Sequence, residues 1–318
     1  MRQFTSVKDV ADVNDLVEEA LAVKKSPFAY KALGQDKTIG LLFLNPSLRT
    51  RLSTQKAALN LGMNVMVMNM DKEGWALEFN DGAVMNGTSV EHIKDAAAVM
   101  GLYCDIIGIR CFPNLKNSEE DYSEDLLYKF IQYCKVPVVS LESATLHPLQ
   151  SLADLITIKE NWHENRKPKV VLTWAPHIKP LPQAVANSFA EWMGKSDVEL
   201  TIAHPEGFEL SETFTKGAQI IYIQEEALKS ADFIYVKNWS SYKEYGKLKE
   251  DGSEWLLNDS KMALTNNGRI MHCLPVRRNV EVPDNLLDGP NSLILQQANN
   301  RVFAAQAVLK KILEGINN

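Results

Sequence analysis

Along most of the chain, short apolar runs alternate with longer stretches in which apolar residues recur at helical spacing. Runs at 38–45, 64–70, 105–110, 136–141, 169–174, 199–204, 220–223, 233–238 and 269–274 are predicted strands. Most are nearly continuous in apolar residues, the pattern of strands covered by helices on both faces. Helical patterns fall at 50–61, 91–100, 124–134, 151–162, 181–193 and 301–314. Strand–helix alternation of this kind predicts an α/β protein with mainly parallel sheets and right-handed crossovers. The polar stretch Asn165-Arg166-Lys167-Pro168 interrupts the series after the fourth strand and its helix. Two domains are expected, 1–147 and 148–300, each a parallel sheet with helices on both faces. The C-terminal helix, 301–318, is available to pack back on the first.

Composition narrows the function only slightly. A formal net charge of −6 leaves no general footprint for nucleic acid, although a local basic cluster could still take a small anion. The N-terminus has no apolar core of signal-peptide length and no long apolar run follows, so a cytoplasmic protein without a membrane partner is expected. The four cysteines, 104, 111, 134 and 273, form no Cys-x-x-Cys pair. The first three read most simply as small buried apolar residues.

Ligands of open parallel sheets bind at the carboxyl ends of strands, and the polar residues of interest sit there. The first strand runs into Asn45-Pro46-Ser47-Leu48-Arg49-Thr50-Arg51 and then a helix. Ser47 is placed to cap that helix, so outward N–H groups, two hydroxyls and the Arg49 guanidinium would make a phosphate cradle. A lone Ser-x-Arg-Thr would equally suit a capped helix with surface arginines. Arg110 ends the third strand, where a buried guanidinium needs an anion or a carboxylate. After the fourth strand come Glu142 and then His147-Pro148-Leu149-Gln150, whose imidazole and amide could both donate to one carbonyl oxygen. The ninth strand ends in His272-Cys273-Leu274-Pro275, where backbone carbonyls are available to an NH₂ group, and Arg277 and Arg278 follow. A Cys273 nucleophile with His272 as its base is disfavoured, because neighbouring strand residues face opposite ways.

Taken in this order, these motifs resemble the aspartate/ornithine carbamoyltransferase family across nearly the whole chain. The resemblance implies that Ser47, Leu48 through its backbone, Arg49 and Thr50 hold the phosphate of carbamoyl phosphate. It implies Arg110 and His147 on the carbamoyl oxygen with Gln150 close by, the Cys273 and Leu274 carbonyls on the amide, and Arg301 near the phosphate. It further implies a homotrimer with shared active sites, in which a neighbour's loop around Trp75 and residues 86–91 completes each site. Arg49, Arg110, His147 and Gln150 would carry catalysis, with no metal or organic cofactor. The amine would attack the carbamoyl carbon directly and phosphate would leave.

The departures point to a branch. The Ser-Met-Gly loop of ordinary ornithine enzymes is absent, and Lys237-Asn238-Trp239 stands in its place. This is similar to the branch acting on N-acylated ornithines, as are Thr173-Trp174 and Lys179-Pro180-Leu181. The resemblance then implies acylornithine-binding roles for Val90, Glu142, His177, Lys237 and Arg278. It also implies a knotted second domain, in which a loop at 177–182 encloses a later segment near 237–256. Acetylornithine enzymes are expected to carry a glutamate where Val90 stands, although Glu91 lies one residue away. A neutral Val90 leaves room for a succinyl tail and does not repel its carboxylate. N-succinyl-L-ornithine is therefore the expected substrate and N-acetyl-L-ornithine the alternative. A dinucleotide-dependent oxidoreductase is disfavoured, because no Gly-x-Gly-x-x-Gly follows any strand. A non-catalytic anion- or partner-binding relative is opposed by the intact set of motif residues.

Overall fold

The computed structural model describes residues 1–70 and 74–317. Contacts divide the chain into two units, Met1–Pro113 with Glu119–Leu149 and Arg301–Asn318, and Asn114–Ser118 with Gln150–Asn300. Asn318, the end of the expected 301–318 helix, lies outside the described residues.

The strands of the first unit are, in chain order, β1 (Gln3–Phe4), β2 (Thr38–Phe43), β3 (Asn64–Asn69), β4 (Leu77–Glu78), β5 (Glu91–His92), β6 (Ile106–Arg110) and β7 (Val138–Glu142). Five form a parallel sheet in the order β1-β7-β6-β2-β3, while β4 and β5 pair separately. Ile39, Leu41, Ile107, Ile109 and Leu141 are fully buried, as the continuous apolar runs required. Gly108 is there because a Cβ would stand 2.9 Å from a Leu41 methyl. The expectation of two covered faces fails for β3. It is an edge strand, and its alternate residues Met66 and Met68 are exposed.

In the second unit the strands are β8 (Lys169–Trp174), β9 (Glu199–Ala203), β10 (Gln219–Ile221), β11 (Phe233–Lys237) and β12 (Arg269–Met271), all parallel in the order β10-β9-β8-β11-β12. Residues 238–241 lie against the loop that follows β8. Asn238 Nδ2 donates to the Ala175 carbonyl at 2.7 Å, Ser240 N to Leu181 O at 3.0 Å, and Gln183 Nε2 to Ser240 O at 2.9 Å. The indole of Trp174 donates to Trp239 O at 2.8 Å.

Strand order locates the ligand positions. From β2 the chain moves outward to β3 and later returns on the other side of β2 as β6, so the order reverses between β2 and β6. In the second unit it reverses between β8 and β11 for the same reason. Small ligands of parallel sheets bind where such a reversal opens a crevice at the strand ends. The ends concerned are Phe43 with Arg110, and Trp174 with Lys237, which are register partners in their sheets.

Local signals explain several helix boundaries. The helix Arg49–Asn60 starts with Leu48 at its N-cap and no side chain bonded to its first turn, so the expected Ser47 cap is absent. Its N–H groups are left to the loop side, and Gly62 at φ +83° turns the chain just past its end. Pro148 opens the helix Pro148–Asn161, a position where no N–H is needed. The last helix, Ile294–Asn317, begins well before the apolar pattern at 301. Its first turns bury Gln297 and Asn300, which donate to Asp154 at 2.7 Å and to Thr157 at 2.9 Å. Among the described residues no helix is long and apolar enough to cross a membrane.

Candidate active site

At the end of the first unit's sheet, the register shifts between Ile109 and Arg110, so that Arg110 pairs with Glu142. The shift turns the buried guanidinium onto the carboxylate. Nε and Nη2 of Arg110 donate to Glu142 Oε2 at 3.2 and 3.0 Å. Its Nη1 donates to the Asn45 carbonyl at 3.1 Å and also to that of Pro46. Arg110 thus ties the loop entering the Arg49 helix to the neighbouring strands. Glu142, expected beside the acylornithine, is held by this arginine in the first unit.

Arg301 completes the cluster. Its Nη2 donates to the Thr50 hydroxyl at 2.6 Å and lies 3.4 Å from His147 Nε2. His147 is buried, and Glu142 Oε2 is 3.6 Å from the same nitrogen, beyond a good hydrogen bond. Burial, followed by the charges of Arg301, Arg110 and Arg49, holds the imidazole well below its ordinary pKa. A neutral ring that accepts from Arg301 on Nε2 carries its proton on Nδ1. Among the described residues, Nδ1 is buried with no hydrogen-bond partner. Ser47 and Arg49 are half-buried and Leu48 is exposed.

Trp75 stands just before β4 and Val90 just before β5, and both are largely exposed. Val90 N donates to Ala76 O at 2.9 Å, and the Trp75 indole donates to Glu91 Oε2 at 2.8 Å. The carboxylate next to Val90 is therefore directed to Trp75, while Val90 presents its apolar side chain.

In the second unit, Gln150 Nε2 donates to Asp154 one turn along at 2.8 Å, so one amide hydrogen is already engaged. Lys237 is buried at the end of β11 and, among the described residues, forms no ion pair. His177 donates from Nδ1 to Lys179 O at 2.7 Å and receives Arg277 Nε on Nε2 at 3.2 Å. Burial is the leading cause of a pKa below the usual histidine value. Of the consecutive arginines, Arg278 is gripped by Asp284 and Asp288 at 2.7 to 2.8 Å. The arginine beside His177 is Arg277.

His272 Nδ1 accepts the Leu274 N–H at 2.9 Å, and its Nε2 faces Glu281 Oε1 at 3.5 Å. Nδ1 is taken by the Leu274 N–H and Nε2 is turned toward Glu281, so neither ring nitrogen is shown bonded to the Cys273 thiol. Leu274 sits at φ +58°, a left-handed conformation costing a branched residue about 1–3 kcal/mol. The Glu281 pKa is about 2: burial pushes it upward, but His272 and the Lys237 charge outweigh that. Burial raises the Cys111 and Cys134 thiols above their ordinary values, which suits inert packing residues.

The carbamoyl-P binding domain of the aspartate/ornithine carbamoyltransferases matches residues 2–160, and their Asp/Orn binding domain matches residues 182–312. The chain belongs to the aspartate/ornithine carbamoyltransferase family. It is 50% identical to N-succinylornithine carbamoyltransferase of Bacteroides thetaiotaomicron, over 99% of this chain and 100% of that one. With N-acetylornithine carbamoyltransferase of Xanthomonas campestris pv. campestris it shares 33%, over 98% of each. Among solved carbamoyltransferases, one is a variant of N-acetyl-L-ornithine transcarbamylase with a single glutamate changed to valine, complexed with carbamyl phosphate and N-succinyl-L-norvaline. It superposes with a TM-score of 0.92 at 33% identity, covering 98% of this chain and 100% of that structure.

Sequence reasoning assigned no site role to Arg277, Glu281 or Asp154, although Arg277 was read in the run after the ninth strand. Asp154 had a usable signal, its spacing of one helical turn from Gln150. Glu281 lies in a short turn without periodicity, and only the fold brings it to His272.

Proposed function

We propose that this chain transfers the carbamoyl group of carbamoyl phosphate to the δ-amine of N-succinyl-L-ornithine, giving N-succinyl-L-citrulline and phosphate in arginine biosynthesis. The observation that carries this reading is the buried Arg301–Thr50–His147 cluster, with Arg110 behind it, at the strand ends where the first sheet reverses order. Half of all positions are shared with an N-succinylornithine enzyme over its full length, which supports the acyl group.

The phosphate is held by Ser47, the Leu48 N–H, Arg49, Thr50 and Arg301, where the open helix terminus adds its positive end. His147, with its Nδ1 proton, and Arg110 stabilise the carbamoyl oxygen as it becomes anionic, with Gln150 next to them. The Cys273 and Leu274 carbonyls take the amide hydrogens. The neutral δ-amine attacks the carbamoyl carbon, the bond to phosphate breaks, and the departing phosphate accepts the proton. Orientation and preorganised donors supply the rate. Lys237, His177 and Arg277 take substrate carboxylates.

The chain acts as a homotrimer in which the loop bearing Trp75 and Val90 completes a neighbour's site. The exposure of these apolar residues supports that role. Val90 then lines the succinyl tail, a reading supported by the glutamate-to-valine relative complexed with a succinyl ligand.

The test is phosphate release and N-succinylcitrulline formation from carbamoyl phosphate and N-succinyl-L-ornithine. A soluble, folded Arg49→Ala protein is expected to lose nearly all of it. Undiminished turnover in that variant would sink the assignment.

A further inference from the structure

In the second sheet, β9 and β10 stand one and two places outward from β8, away from the reversal point, and a cavity of about 550 Å³ opens beside their carboxyl ends. That volume falls within the range of about 300–1,000 Å³ common to small-molecule sites. His204, directly after β9, and Tyr222, directly after β10, line it together with Glu209 on the loop between the two strands. All three belong to the second unit. The loop is pinned by the Trp239 indole, which donates to Phe208 O at 2.8 Å, and by the Ser241 hydroxyl, which donates to Gly207 O at 2.6 Å.

Two polar atoms of this lining, His204 Nε2 and Glu209 Oε2, are buried with no hydrogen-bond partner among the described residues. Their chemistry follows from what the rest of each side chain does. His204 Nδ1 lies 2.9 Å from Pro205 O, and a carbonyl only accepts, so the ring proton sits on Nδ1. Nε2 therefore offers a lone pair, and burial, which lowers the pKa of the ring, keeps it neutral near pH 7. Glu209 Oε1 accepts the Gly207 N–H at 3.2 Å. Burial pushes this carboxyl upward, but backbone hydrogen bonds and the Lys243 charge outweigh that and hold it below its ordinary value. It is thus ionised and can only accept. Lys243 Nζ stands 3.5 Å from Oε2, too far for a good hydrogen bond, and its side chain is mostly exposed.

Two acceptors, one of them charged, call for a ligand that donates hydrogen bonds and carries positive charge. The Tyr222 and Tyr242 rings in the same lining favour a cation further, and Ile202, Leu210 and Ile220 offer apolar surface to a short stem. We propose that this cavity binds a small organic cation, a primary ammonium or guanidinium group on a short apolar stem, with His204 Nε2 and Glu209 Oε2 as its acceptors. A metal ion would lack ligands, since among the described residues no three His, Cys, Asp or Glu side chains are grouped to hold one. An anion would meet the Glu209 charge. The site lies at other strand ends than the acylornithine residues, and it does not depend on the carbamoyl-transfer reading.

The experiment titrates the full-length protein by calorimetry with n-butylguanidinium and with n-butylammonium, and uses n-butylurea as the uncharged counterpart. Saturable binding of at least one cation is expected, and the one that binds identifies the head group. Glu209→Gln keeps the volume and removes the charge, so it should weaken that binding about tenfold or more, the scale of one charge-assisted hydrogen bond. n-Butylurea should bind the parent far more weakly than the cation does. A second reading needs no variant: with ¹⁵N-labelled imidazoles, the His204 Nε2 signal of the parent should move upfield at saturation, as that nitrogen gains a donor. Absence of saturable binding by either cation would overturn the proposal, leaving both acceptors to water. So would equal affinity in the parent and Glu209→Gln, n-butylurea binding as tightly as the cation, or an unmoved His204 Nε2 signal.

Discussion

The two groups of site residues are built on different principles. In the first unit, buried Arg110 and Arg301 are tied to protein groups, Glu142 on one side and Thr50 and His147 on the other. The cluster is complete before a ligand arrives, which suits one small substrate of fixed shape. In the second unit, Lys237 is buried without an ion pair among the described residues, and the Arg277 guanidinium donates to His177. That half retains charge for carboxylates whose number depends on the acyl group. On the proposed assignment, preorganisation would belong to the carbamoyl donor and adaptability to the acceptor. Changes in the first group should therefore damage folding and all activity, whereas changes at the acyl end should redirect it.

Removing Glu142 is expected to have the largest effect. Glu142→Ala leaves Arg110 buried and unpaired, and denaturant unfolding should show a loss of about 3–5 kcal/mol. A loss below 1 kcal/mol would mean that the first cluster is not self-paired. At the acyl end, Val90→Glu places a carboxylate beside a succinyl carboxylate. At about 4 Å and an effective dielectric near 20, the repulsion is of order 4 kcal/mol before screening. The ratio of kcat/KM should move toward N-acetylornithine while stability stays put. Equal loss on both substrates would reduce Val90 to a packing residue.

Glu281 gives an effect of about 3 kcal/mol, from a folded pKa near 2 against an ordinary value of 4.5. Because the folded pKa is depressed, this stability is fully present above the unfolded value and fades as pH falls from about 4.5 through 2. Acid unfolding of Glu281→Gln should lack that part of the slope, and an unchanged slope would contradict the carboxylate's assigned environment. The smallest effect is expected at Cys273. With His272 Nδ1 taken by the Leu274 N–H and Nε2 turned toward Glu281, Cys273→Ser should keep substantial turnover and mass spectrometry should find no carbamoyl thioester.

Much of this organisation was legible in the sequence because it rests on period and on strand ends. The nine runs read as strands all form strands, and most of them are buried, β3 and β10 being edge strands with exposed residues. β1, β4 and β5 escaped because two residues carry no period. The motif residues fall at strand ends, as continuous apolar strands ending in polar turns imply, and those after β2, β6 and β11 lie at the reversal points. What escaped depends on choices between adjacent residues. Nothing local says that Leu48 rather than Ser47 stands at the helix N-cap, or that Asp284 and Asp288 take Arg278 and leave Arg277 to His177. These are settled by side chains brought together only by the tertiary fold.

The most direct measurement is a comparison of kcat/KM for ornithine, N-acetyl-L-ornithine and N-succinyl-L-ornithine with saturating carbamoyl phosphate. The expected order places N-succinyl-L-ornithine first, with ornithine near background because its charged α-amine would face the Lys237 end of the site. Turnover of ornithine equal to or above that of both acylated substrates would contradict the central claim.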